Sequence, residues 1–285
     1  MIPVSFDYVR PGSAAEAVQA LVEAGEDGKI LAGGQSLLPI LRLRLAYPET
    51  VIDLGGISEL VGVTDDGDGI VIGAMTTHDD VLHDSLVAQH APLLAQATRT
   101  VADPQVRHRG TFGGALAHAD PAGDLPAVAL ALDAELRLQS ASGQRSVSAK
   151  DFFLDYLTTA LEPGEILTSI RIPKLGDGWS THYEKFNRVA QAWSIVAVAA
   201  AVRRSNGTIT EARLGLTNMG PTPLRATATE QALAGADASA AAVRAATDQA
   251  AEGTSPPSDL SAKADYRRHL ATVLTRRAVL TAAGI

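Results

Sequence analysis

The chain has 285 residues, 46% of them hydrophobic, enough to bury more than one core and to set an expectation of two or three domains. Its 32 acidic residues outnumber its 24 lysines and arginines for a net charge of −8, which, without any basic run, argues against a nucleic-acid surface. There is no cysteine, so this chain can supply no disulfide, no thiolate nucleophile and no cysteine-ligated iron–sulfur cluster.

Residues 1–8 lack the charged start and apolar core of a signal peptide, and the apolar run 193–202 is too short to span a bilayer, so the expected compartment is the cytoplasm. Residues 13–25 read as a helix, with Ser13 and Glu16 as a capping box and Gly25 as its stop. A strand at 29–32 breaks on Gly33-Gly34-Gln35-Ser36, a helical segment runs to residue 45, and 50–54 is a second strand. Together they predict a small α/β unit over about 1–55.

A second unit is expected over about 56–175. Runs 60–64 and 69–73 form a hairpin around the acidic turn 65–68, which lacks the spaced acids of a calcium loop and reads as a solvated turn. Residues 77–80 resemble a helix cap. His78 and His83 lie five positions apart, so they point about 140° from each other on a helix, and a structural or surface role fits them better than metal binding. One helix is predicted over 84–100, leading through 103–107 into a second glycine loop, Arg109-Gly110-Thr111-Phe112-Gly113-Gly114-Ala115. An apolar stretch at 126–133, a strand at 134–139, a helix or turn over 147–156 and a strand at 165–173 follow. The polar, glycine-rich run 174–178 is the expected domain boundary.

In the last third, 194–202 and 209–216 read as a hairpin turning on Asn206-Gly207. Helical stretches at 226–234, 239–251 and 263–283 complete an α+β domain. Tyr266, Arg267, Arg268, Arg276 and Arg277 on the last one read as a charged helix face or a subunit contact.

Motifs for independent substrate chemistry are missing: no Gly-x-Ser-x-Gly elbow, no His-Glu-x-x-His, no P-loop and no Rossmann fingerprint. What the sequence offers is two glycine-paired loops. Gly33 and Gly34 permit a sharp turn and close approach to a ligand, and Ser36 with the following amides offers donors to an anion. The second loop suggests one ligand held from two sides. Asp120 and Asp124, set among prolines, suit a rigid wall better than an acid–base pair, and His118 reads as a supporting loop residue.

The two loops resemble the FAD-binding signatures of the flavoprotein (medium) subunit of the molybdenum hydroxylases, the carbon monoxide dehydrogenase and xanthine dehydrogenase family. The likeness runs from the N-terminus to the last helix. It implies an α+β fold: an FAD-binding PCMH-type domain of two α/β subdomains over 1–175, then an α+β domain with an antiparallel sheet over 176–285. It assigns Ala32, Gly33, Gly34, Gln35 and Ser36 to the FAD pyrophosphate, Thr111, Gly114 and Ala115 to the opposite wall, and Asp124, Leu167 and Lys185 to further cofactor contacts. Trp193 stands near where relatives keep an aromatic over the flavin ring; a core role for it is equally open. Phe112 and Ala115 replace the usual isoleucine and asparagine, and Ala192 stands where many relatives carry an acid. An absent amide removes hydrogen bonds worth roughly 0.5–1.5 kcal/mol each.

The same likeness implies a function: passing electrons from [2Fe-2S] clusters on a small partner, through FAD, to an external acceptor. A large partner would carry the molybdenum cofactor and the substrate chemistry, in a dimer of heterotrimers. A structural subunit that has lost FAD and a self-sufficient flavin oxidase are the alternatives.

Overall fold

A computed structural model describes residues 2–285; Met1, where the stretch read for a signal peptide begins, lies outside the described residues. The first unit comprises β1 (Asp7–Val9), α1 (Ala14–Ala24), β2 (Gly28–Leu31), α2 (Leu37–Arg42) and β3 (Thr50–Asp53), with parallel strands in the order β1-β3-β2. Ser13 caps α1 by accepting the Glu16 amide. The Glu16 carboxylate accepts from Gly12 N rather than from Ser13, so only one arm of the expected capping box forms.

The second unit opens with the hairpin of β4 (Val63–Asp65) and β5 (Gly69–Gly73). Its acidic turn is held by cations: Asp66 accepts from Arg137 at 3.2 Å and from Arg171 at 2.9 Å, and Asp65 from Lys174 at 2.7 Å. Four short helices follow: α3 (His78–His83), α4 (Ser85–His90), α5 (Pro92–Arg99) and α6 (Pro104–Arg107). The single helix expected over 84–100 is thus two, because Pro92 has no amide to continue α4 and instead starts α5. Then come α7 (Phe112–His118), α8 (Asp124–Ala131), β6 (Glu135–Ser140), β7 (Gly143–Ser148), α9 (Ala149–Phe152), β8 (Phe153–Asp155), β9 (Thr158–Thr159) and β10 (Ile166–Pro173). The sheet is antiparallel, in the order β4-β5-β10-β6-β7.

The third unit begins with β11 (Trp179–Phe186), a strand the sequence pattern concealed, since of its eight residues only Tyr183 is fully buried. It pairs with β12 (Val196–Ser205), followed by β13 (Thr208–Thr217) and the short β14 (Leu224–Arg225) in one antiparallel sheet. Asn206 and Gly207, at φ 49° and 78°, make the β12–β13 turn that their sequence predicts. Helices α10 (Thr227–Leu233), α11 (Ala240–Thr247) and α12 (Ala264–Ala283) cover one face.

Strand β12 is buried on both faces, which explains its unbroken apolar run. Ala197, Ala199 and Ala201 join the core of the second unit, while Val196, Val198 and Val202 pack with Leu270, Leu274 and Ala278 of α12. Helix α8 lies so close to β13 that a Cβ on Gly215 would stand 2.2 Å from the carbonyl oxygen of Ala127. This clamps the third sheet onto the second unit and brings β11 beside the start of α8.

Arg267 corrects the reading of the last helix as a charged outer face. It is 1% exposed, donating to the Ile195 carbonyl and, at 2.7 Å, to Asp259. Tyr266, Arg268 and Arg277 do stay exposed, and Arg276 pairs with Asp248 at 2.9 Å. Among the described residues, no helix is long and apolar enough to cross a membrane.

Candidate functional site

The first glycine loop leaves β2 and enters α2. Among the described residues, the amides of Gly33, Gly34, Gln35 and Ser36 donate to no backbone carbonyl. Gly34 sits at φ 75°, a conformation that disfavours a side chain. Gly33 has a further reason to lack a side chain, beside the expected ligand approach: a Cβ there would lie 2.1 Å from Arg109 O and 2.7 Å from Gly110 Cα. The two loops therefore rest on one another, and Gly33 is the seam.

The amides of the second loop are largely spent on the fold. Phe112 N donates to Thr76 O at 3.0 Å and Gly113 N to Ala74 O at 2.9 Å, while Thr111 Oγ1 caps α7 by accepting Gly114 N at 3.1 Å. The hydroxyl proton of Thr111 is left for another acceptor. Phe112 is wholly buried in the second unit's core, so its departure from isoleucine is a packing change away from the cavity.

A cavity of about 1170 Å³ opens between the loops and the third unit. Ala32, Gly33, Gly34, Gln35, Ser36, Thr111, Gly114, Ala115, Asp124, Lys185 and Trp193 all line it, as does Ala192. Leu167 is not among its lining residues. On β10, Ile166 packs into the first unit's core and Leu167, on the opposite face, into the second's. Trp193 is 57% exposed on the loop between β11 and β12, which rules out the core role left open for it.

Asp124, first residue of α8, is the hub of a buried cluster. Its Oδ1 accepts from Tyr183 Oη at 2.6 Å and Ser194 Oγ at 2.7 Å, and its Oδ2 accepts from Lys185 Nζ at 2.7 Å. Strand alternation puts Tyr183 and Lys185 on the same face of β11, facing α8. Burial, reinforced by the neighbouring carboxylate, pushes the Tyr183 phenol well above its ordinary pKa, so it stays a neutral donor. Lys185 also donates to Thr100 O at 3.1 Å, leaving one of its three N–H groups unassigned. This engagement suits Asp124 to anchoring rather than to acid–base work.

His78, read as a structural or surface residue, lines the cavity and is 5% exposed; His83 is indeed on the surface. Burial, with help from Arg107, lowers the His78 pKa to about 4, so the ring is neutral near pH 7. His118 and Asp120 also line the cavity, with His118 Nε2 4.0 Å from Asp120 Oδ2.

A family model described as the FAD binding domain in molybdopterin dehydrogenase matches residues 4–175, and one described as the CO dehydrogenase flavoprotein C-terminal domain matches 181–282. The chain belongs to this family of flavoprotein subunits. The carbon monoxide dehydrogenase medium chain of Hydrogenophaga pseudoflava is 42% identical to it, covering 98% of this chain and 97% of that one. The xanthine dehydrogenase FAD-binding subunit of Escherichia coli O157:H7 is 30% identical, covering 95% and 94% respectively. A solved structure of reconstituted CO dehydrogenase from Oligotropha carboxidovorans superposes with a TM-score of 0.97 at 42% identity, covering 100% of this chain and 99% of that one.

The site fits the FAD that membership in this flavoprotein family implies. Backbone amides without protein acceptors line one wall, the cavity exceeds the usual size for a small ligand, and Leu21, Ile30, Ile40 and Leu161 add apolar surface. A flavoprotein medium subunit needs these features: donors for phosphate oxygens and flat apolar walls for rings.

Proposed function

We propose that this flavoprotein subunit is the electron relay of a molybdenum hydroxylase in the cytoplasm, taking electrons from an iron–sulfur partner and delivering them to an external acceptor. The observation that carries the proposal is the convergence of both glycine loops and Lys185 on one cavity, whose buried acid is already engaged by three side chains. FAD, when bound, can exchange electrons one at a time or in pairs. The chain's residues bind and orient it. The amides of Gly33, Gly34, Gln35 and Ser36 hold its diphosphate, with Ala32 beside them. Thr111, Gly114 and Ala115 form the facing wall, and Asp124 fixes Lys185 so that its remaining N–H reaches the cofactor. Trp193 shields the ring system from solvent, and Leu167 packs behind the wall. The FAD-binding domain in this reading spans 1–175, and 176–285 form the C-terminal domain.

The words "medium chain" in relatives' names support companions of other sizes. We infer a small [2Fe-2S] subunit and a large molybdenum subunit, in a dimer of heterotrimers. The test is an absorption spectrum of the chain with its co-purifying proteins, with released flavin identified by chromatography, followed by addition of the substrate of the complex under anaerobic conditions. Stoichiometric FAD that bleaches only when the partners are present is the expected result. No flavin even after adding FAD would favour a structural subunit, and turnover by the isolated chain a self-sufficient oxidase.

A further inference from the structure

We propose that His78 is a hydrogen-bond donor to the diphosphate of bound FAD. Among the described residues it is the one histidine that is buried, and no protein hydrogen bond reaches its ring: Nδ1 is enclosed without a partner, while Nε2, on the ring edge nearest Gly110, is unpartnered and is the atom left to face the cavity. Buried polar atoms are ordinarily satisfied, so an orphaned ring in a cofactor cavity points to the ligand as its partner. The position of the ring specifies which part of the ligand. A Cβ on Gly110 would lie 2.8 Å from His78 Cδ2 and 3.1 Å from Nε2, and Gly110, with Arg109, is where Gly33 packs. His78 therefore stands at the seam of the two loops, where the first presents its unpaired amides. The backbone holds it there, through His78 N donating to Gly110 O at 2.8 Å.

The electrostatics suit an anion. Arg107, close enough to disfavour a charged His78, donates to Val101 O at 2.9 Å while its Nε is buried without a partner. Arg107 does not itself line the cavity, but its charge acts on the ring that does, and a diphosphate accepting from that ring would offset it. An uncharged flavin ring would do less.

The inference rests on the cavity holding FAD, and the experiment separates the two. The full chain, freed of flavin, is titrated with FAD by fluorescence quenching. The His78→Phe variant, which keeps the ring volume but has no donor, is expected to bind about tenfold more weakly or worse. His78→Asn and His78→Gln return an amide donor near Nδ1 and Nε2 respectively, and at least one of them is expected to recover affinity to within about threefold of the parent. Phosphorus NMR of bound FAD should shift in His78→Phe relative to the parent. In the unmutated chain with 15N-labelled histidine, FAD addition should move the His78 ring resonances, a readout independent of whether any variant folds. Unchanged affinity in His78→Phe, failure of both amide variants, or static ring resonances would overturn the role of His78 alone. A parent chain that takes up no FAD would overturn the reading of the cavity, and this inference with it.

Discussion

A side chain at Gly33 would stand 2.1 Å from the carbonyl oxygen of Arg109, so the two glycine loops form one unit. Gly33→Ala should therefore push the loops apart, costing about 1–3 kcal/mol by overpacking against backbone that cannot rotate away. Flavin content should fall with it. Gly34→Ala meets a different obstacle: its φ of 75° strains an L-residue by roughly 1–2 kcal/mol, but the atoms it approaches belong to the flexible Leu38 side chain. Melting temperatures and FAD stoichiometry of the two variants check this. A Gly33→Ala chain that keeps full FAD would remove the seam from the account.

The buried pair of Asp124 and Lys185 supports a second prediction. Their charged atoms are 2.7 Å apart, with both side chains nearly inaccessible to water. Lys185→Met leaves the carboxylate buried with only two neutral donors, and should cost about 3–5 kcal/mol. Adding Asp124→Asn removes the stranded charge, so the double variant should be more stable than Lys185→Met alone. Urea unfolding of the four chains in a double-mutant cycle measures the coupling. Simple additivity would mean that the two charges do not depend on each other.

Much of this arrangement was legible in the sequence, and the exceptions share a cause. The glycine pairs, the Asn206-Gly207 turn and the alternating strands announce themselves because local backbone chemistry decides them. Strand β11 was hidden because its inward residues include a tyrosine and a lysine, polar side chains whose burial goes with their bonds to Asp124. Arg267 looked like surface for the same reason; its burial depends on the Ile195 carbonyl and on Asp259, which only the folded chain supplies. His78 shows no periodic signal, since its place in the cavity comes from the second loop folding back onto α3. Leu167 illustrates the converse. The resemblance assigns it to the cofactor, while the pleat of β10 turns its side chain into the core.

The third prediction concerns acid. In the fold His78 is neutral, with a pKa lowered to about 4, whereas in the unfolded chain it takes up a proton below about pH 6.5. The unfolded state then binds more protons between these values, so stability falls as pH drops from about 6.5 to 4. The loss from this one group should approach about 2–3 kcal/mol at the lower end. Thermal unfolding of the flavin-free chain across this range checks it. His78→Phe should flatten this part of the curve, and a variant curve parallel to the parent's would assign the acid sensitivity to other groups.

Trp193 tests whether exposure marks function. A large aromatic that is 57% exposed at the cavity's edge contributes little to packing, so Trp193→Ala should change stability by less than about 0.5 kcal/mol. The bound cofactor should respond far more than the fold does. In the role proposed for it, loss of the indole would admit water to the ring system, which should alter the visible absorption and circular dichroism of bound FAD and shift its reduction potential. Trp193→Phe retains an aromatic face and should give an intermediate result. If the alanine variant melts with the parent and its flavin spectra and potential are also the parent's, the indole does not touch the cofactor, and its exposure must be explained by a partner subunit instead.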